Sequence, residues 1–160
     1  MSEQTDVKAE LSTPGEREIH VERIFEAPRE RVFAAYTDPE LIPQWWGPYG
    51  TTTVVDEFEP RAGGRWRFVS QDSGGDEAAF RGVFREVVAP ERIVWTFEWE
   101  GMPGHVSVET SRFEDLGDGR TKVIADTVFH TGAERDGMLD SGMERGMNET
   151  FARLDELLAA

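Results

Sequence analysis

Apolar residues near the end of the chain recur at helical spacing. Met143, Met147, Phe151, Leu154 and Leu158 step by 4, 4, 3 and 4, which at ~100° per residue confines them to an arc of roughly 80°. Glu144, Arg145, Asn148, Ala152 and Asp155 fall elsewhere on the wheel. The pattern predicts one long amphipathic helix over 134–158, whose apolar stripe needs a surface to cover. Gly142 and Gly146 interrupt it one turn apart, each at a cost of ~1 kcal/mol relative to alanine. The return is either close approach of backbone to sheet or room for something else. Met138, Met143 and Met147 head the stripe, and methionine adapts best to irregular neighbours. Two readings follow: ordinary packing with a loose first half, or a first half that roofs a cavity.

Upstream, the period changes from helical to alternating. Residues 1–16 are polar, aperiodic and contain Pro14-Gly15, which reads as a flexible tail before a single domain over 17–160. Glu18 to Phe25 alternates as a first strand, with its inward side undecided. Pro28 opens a short helix carrying Val32, Phe33 and Tyr36, and Asp38-Pro39 starts a second that ends at Trp45-Trp46-Gly47-Pro48. At least one of those two indoles meets another element or a ligand: it either plugs the core or walls a site. Six strands follow, over 51–59, 65–70, 77–88, 93–100, 106–114 and 121–129, separated by short turns that make neighbours antiparallel. Trp66, Phe68, Phe80, Phe84, Trp95, Phe97 and Trp99 share one face, whereas Arg65, Arg67, Arg81, Arg85, Glu98 and Glu100 occupy the other. The fold class is α+β: a curved antiparallel sheet of about seven strands around a long C-terminal helix, with two short helices between strands 1 and 2. Gly82, inside a strand, permits a bend or a close contact.

Composition narrows the function. At 160 residues the chain buries a core without staples, and the absence of cysteine removes disulfides and thiolate metal sites. A formal charge of −15 opposes nucleic acid and anionic membranes. The start lacks a basic, apolar signal pattern and no apolar run reaches ~20 residues, so a cytoplasmic, acidic protein is expected.

The strings TDPELIPQWWGP, DEFEPRAGGRWRF, FRGVFREVVAPERIVWTFEWE and LGDGRTKV, with the closing helix, resemble the family named for the C-terminal domain of the activator of the Hsp90 ATPase. That family is part of the START-like (SRPBCC) superfamily with its helix-grip fold, and the resemblance runs from about Ile19 to Leu158. The last stretch, GAERDGMLDSGMERGMNETFARLDELLA, is similar to small stand-alone bacterial members often labelled polyketide cyclase-like. The resemblance implies a hydrophobic cavity under the C-terminal helix and no shared catalytic motif, so it specifies fold better than function.

Candidate chemistry is sparse. His20, His105 and His130 lack zinc spacing, so no metal is expected. There is no serine elbow and no phosphate loop, and no cofactor is expected. Glu109 shares a strand side with Ser107, Ser111 and Phe113. If Phe113 points inward, Glu109 enters the cavity as a base or polar anchor; if Val106, Val108 and Thr110 are inward, it lies in water. Glu109, His105 and His130 are therefore the weak catalytic candidates, both histidines also reading as surface residues.

The ligand-binding candidates are Trp45, Trp46, Trp66, Phe68, Phe80, Phe84, Trp95, Phe97, Trp99, Met138, Met143 and Met147. The expected partner is a hydrophobic, aromatic or polyketide-like small molecule. A cyclase or hydratase-like enzyme in the same cavity is the alternative, which leaves enzymatic activity open. A chaperone activator or stress-related interaction protein is the third reading. The strand at 18–25 offers an edge for a homodimer that nothing in the sequence demands.

Overall fold

The computed structural model describes residues 8–160; residues 1–7 of the expected tail lie outside them. The elements run β1 (Glu10–Ser12), β2 (Glu18–Phe25), α1 (Arg29–Thr37), a 3-10 turn (Ile42–Gln44), β3 (Thr52–Phe58), β4 (Arg65–Gln71), β5 (Glu77–Val88), β6 (Arg92–Trp99), β7 (Val106–Gly117), β8 (Arg120–Val128), α2 (Gly132–Asp140) and α3 (Met143–Ala159). One eight-stranded antiparallel sheet has the order β1-β2-β8-β7-β6-β5-β4-β3. Strands β3 to β8 form a meander because hairpin turns join them. α1 and the 3-10 turn carry the chain from β2, near one edge, to β3 at the other. This is the helix-grip arrangement, with α3 lying across the concave face.

Three features differ from expectation. β1 occupies part of the expected tail: Leu11 pairs with Val21, and the Ala9 amide donates to Asn148 Oδ1 of α3 at 3.0 Å. Two anchors order a segment too short for alternation to show. The second short helix is reduced to a 3-10 turn. The long terminal helix is broken at Ser141-Gly142. Ser141 Oγ donates to the Met138 carbonyl at 2.6 Å, which ends α2, and Gly142 takes φ = 86°, the left-handed region that costs other residues ~1–2 kcal/mol. 

The core explains why α3 sits where it does. Phe151, Leu154 and Leu158 are its buried residues, and Phe151 meets Phe25 edge-on at 5.5 Å between ring centroids. Ile19, Val21, Arg23 and Phe25 are the inward side of β2. Arg23, although buried, lies over the Phe25 ring and makes a two-pronged pair with Asp155 at 2.9 and 2.6 Å. Arg153 Nη1 donates to the Gly47 carbonyl at 2.9 Å and Arg31 Nη1 to the Leu158 carbonyl at 2.8 Å. All these contacts hold the C-terminal half of α3. The convex face of the sheet is ionic, with Arg67–Glu100, Arg81–Glu98 and Arg92–Glu86 pairs.

Gly82 solves a local packing problem. A Cβ there would collide with the Thr96 carbonyl and come within 2.5 Å of the Trp66 indole nitrogen. Without it, Trp66 Nε1 reaches across to donate to that carbonyl at 3.1 Å. This fixes one of the indoles on the concave face.

Candidate functional site

The buried residues of α3 all lie from Phe151 onward, which leaves space under its first two turns, where Asn148 reaches the edge segment at Ala9. Beneath them is a cavity of ≈ 590 Å³. Trp66, Phe68, Phe80, Trp95 and Phe97 form its wall on β4–β6, and Met138, Met143 and Met147 hang from α2 and α3. Gly146 also lines it, and a Cβ added there would meet nothing within 4 Å. The glycine therefore leaves room rather than permitting close approach.

Trp45 and Trp46 both line the cavity but do different things. Trp45 is buried and donates from Nε1 to the Ala35 carbonyl at 2.9 Å, so it plugs the end of the core. Trp46 packs edge-on against Phe68 and Phe80 at 5.0 and 5.3 Å, and so forms a side wall. Two of the expected wall residues are elsewhere. Phe84 is fully buried between Phe58 and the stacked Trp95 ring, beside the register shift in β5. Trp99 is 42% exposed at the end of β6, folded over Gly101. Neither lines the cavity.

The Glu109 alternatives resolve inward. The irregularity in β7 falls at Asp115/Gly117, beyond Phe113, so Ser107, Glu109, Ser111 and Phe113 stay in one phase on the concave face. Glu109 accepts hydrogen bonds from Trp95 Nε1 at 3.2 Å and Ser111 Oγ at 2.7 Å, both on Oε2, and from Thr127 Oγ1 at 3.4 Å on Oε1. The other two catalytic candidates are not there. His105 is exposed, its Nδ1 2.9 Å from Glu134 of α2, and His130 is exposed with its carbonyl bonded by Arg17. Both sit at strand ends, outside the concave face. His20 is on the convex face, bonded to Asp126 at 2.6 Å and Glu22 at 2.8 Å.

Tyr36 and Thr127 are among the polar lining residues that pattern reading missed as such. Tyr36 looked like one apolar position of a helix. It is 5% exposed, lines the cavity, and its hydroxyl has no hydrogen-bond partner among the described residues. Burial, and to a lesser degree nearby Glu109, pushes its phenol well above the ordinary tyrosine range. A tyrosine in an otherwise apolar helical stripe is the only signal that pointed to it. Among the described residues no cluster of His, Cys, Asp and Glu is arranged to hold a metal ion.

An antiparallel sheet gripping a C-terminal helix over an aromatic cavity defines a helix-grip protein with an internal cavity. The profile of the family described as activator of Hsp90 ATPase homolog 1-like protein matches residues 26–159, and the chain belongs to that family. The family includes homologues of the Hsp90 ATPase activator and START-like ligand binders. Among solved structures, a protein from Rhodobacter sphaeroides is 25% identical with a TM-score of 0.88, covering 95% of this chain and 99% of its own. One from Arthrobacter aurescens is 24% identical at 0.87, covering 97% and 92%. An HSP90 activator from Plasmodium falciparum is 16% identical at 0.63, covering 89% and 96%. The last two likenesses bear on fold alone. No curated protein matches the chain by sequence.

Proposed function

We propose that this protein binds an apolar, aromatic or polyketide-like small molecule between the sheet and the first turns of α3. The observation that carries this reading is the ≈ 590 Å³ cavity itself, walled by rings and roofed by methionines and a glycine with empty space before it. A void of that size is within the ~300–1,000 Å³ range of small-molecule sites. It forfeits dispersion contacts that an apolar guest would supply. Burial of ligand surface at ~25 cal/mol per Å² provides the driving force.

The test is tryptophan fluorescence titrated with planar apolar compounds. Trp46, Trp66 and Trp95 line the site, so a saturable change is expected. Gly146→Leu should weaken the tightest compound at least about tenfold by filling the void, while stabilising the free protein by roughly 0.5–1 kcal/mol through helix propensity. A panel without saturable binders, or a variant that binds as well as the parent, rejects the reading.

A second reading is favoured by one feature, the carboxylate of Glu109 inside the cavity. It makes a cyclase or hydratase-like step available, with Glu109 as general acid/base. Turnover lost with binding retained in Glu109→Gln supports it; equal turnover removes Glu109 from any mechanism. The chaperone-activator reading draws on the family's name and has no surface feature here to support it.

A further inference from the structure

Building on the proposed binding cavity, we infer that its ligand is a hydrophobic organic cation, an aromatic or alicyclic amine, seated with its charged nitrogen at Glu109. Glu109 is the one acidic side chain on the inward run of β7, and it is charge-unbalanced. None of the ion pairs among the described residues includes it. The buried cation nearest the core, Arg23, is already paired with Asp155. Trp95, Ser111 and Thr127 orient the carboxylate, but two of the three donors crowd onto Oε2 and the third reaches Oε1 only at 3.4 Å. Oε1 therefore retains accepting capacity.

Two further polar groups flank it without partners. Tyr36 is 5% exposed and Ser107 is 4% exposed, both line the cavity, and neither hydroxyl has a hydrogen-bond partner among the described residues. Neither oxygen is sealed off from the cavity, so a guest that displaces water from them loses affinity unless it supplies hydrogen bonds in its place. An ammonium carries up to three N–H donors, enough for Glu109 Oε1 and both hydroxyl oxygens. The rest of the cavity suits the rest of such a molecule. Trp66, Phe80 and Phe97 line it, and aromatic rings attract cations as well as apolar bodies. The lining near the β4–β5 turn is acidic, with Asp72, Asp76 and Glu77 exposed there, so a cation is drawn toward the entry and an anion repelled. Among the lining residues there is no Lys, Arg or His to receive a carboxylate or phosphate.

Three matched probes test this: naphthylmethylamine, naphthylmethanol and naphthoate, titrated calorimetrically into the wild-type protein. The amine should bind at least about tenfold more tightly than the alcohol, and the naphthoate most weakly. The preference should persist in about 0.5 M salt, where screening over roughly 4 Å removes the long-range effect of the −15 charge. In Glu109→Gln, checked for a cooperative melt, the amine should fall to the level of the alcohol. Alcohol and naphthoate binding as well as the amine overturns the inference and leaves the cavity reading standing. A preference that disappears in salt, or survives in Glu109→Gln, overturns the assignment to Glu109. Failure of all three probes to bind removes the cavity reading and this inference together.

Discussion

A single histidine shows how far a charge can matter without touching the site. His20 on β2 faces Asp126 directly across the strand pair with β8, and Glu22 lies on its other ring nitrogen. Its pKa is raised, first by the bond to Glu22 and then by that to Asp126. A raised folded-state value means that protonated His20 stabilises the fold fully below the unfolded pKa of about 6.5. That contribution is lost as pH rises through the higher folded value. Urea midpoints should therefore decline from just below pH 6.5 into the mildly alkaline range, and His20→Gln should flatten that part of the profile. A wild-type profile rising over the same interval would contradict the assignment. The effect is modest because the pair is partly exposed.

Among the elements, β4 to β6 set the shape of the wall. Gly82→Ala should lower stability by roughly 2–4 kcal/mol, since the new methyl meets a backbone carbonyl and displaces the Trp66 bond to Thr96. Chemical denaturation measures the loss; a cost below about 0.5 kcal/mol would show that β5 shifts freely there. Much of this architecture was legible. β6 could be read from Ile93, Trp95, Phe97 and Glu98 because its two faces differ in chemistry. β2 declared its existence but not its inward side, since Arg23 interrupts the apolar set and only Asp155, 132 residues away, explains it. Glu109 was ambiguous because Val106, Val108 and Thr110 form an equally apolar alternative, and nothing in the sequence says that β7 keeps one phase as far as Phe113. The break between α2 and α3 was hidden because methionines continue across it, although Ser141-Gly142 is a helix stop. Phe84 and Trp99 alternate faultlessly with the wall residues. Alternation gives the face of a sheet, not the distance along it from a cavity.

For the molecule as a whole, the unfilled volume links stability to occupancy. A ligand that binds only the folded chain adds about 2.7 kcal/mol at a hundredfold excess over Kd. For a domain of this size that raises Tm by roughly 5–10 °C. Calorimetric scans with and without the best compound from the fluorescence panel should show the rise, and Gly146→Leu should reduce it. An unchanged Tm under saturating ligand would mean that the compound binds the folded and unfolded chain equally, against occupation of a folded cavity. No helix among the described residues is long and apolar enough to cross a membrane.

The uneven attachment of α3 has a mechanical corollary. Most of its fixed points, the Asp155 pair and the Arg153 and Arg31 bonds, gather at one end, while toward the other it is held by the Asn148 bond to Ala9 and the Gly142 turn into α2, so the helix is a rod clamped more firmly at one end. From Asp155 to Met143 the rod is ~18 Å long at 1.5 Å per residue. A tilt of about 5° at the firm end moves Met143 by roughly 1.5 Å, at the expense of the Asn148 bond to Ala9. Guests of different girth can thus be admitted by leaning a stiff rod, with the jigsaw around Phe151 and Leu154 left undisturbed.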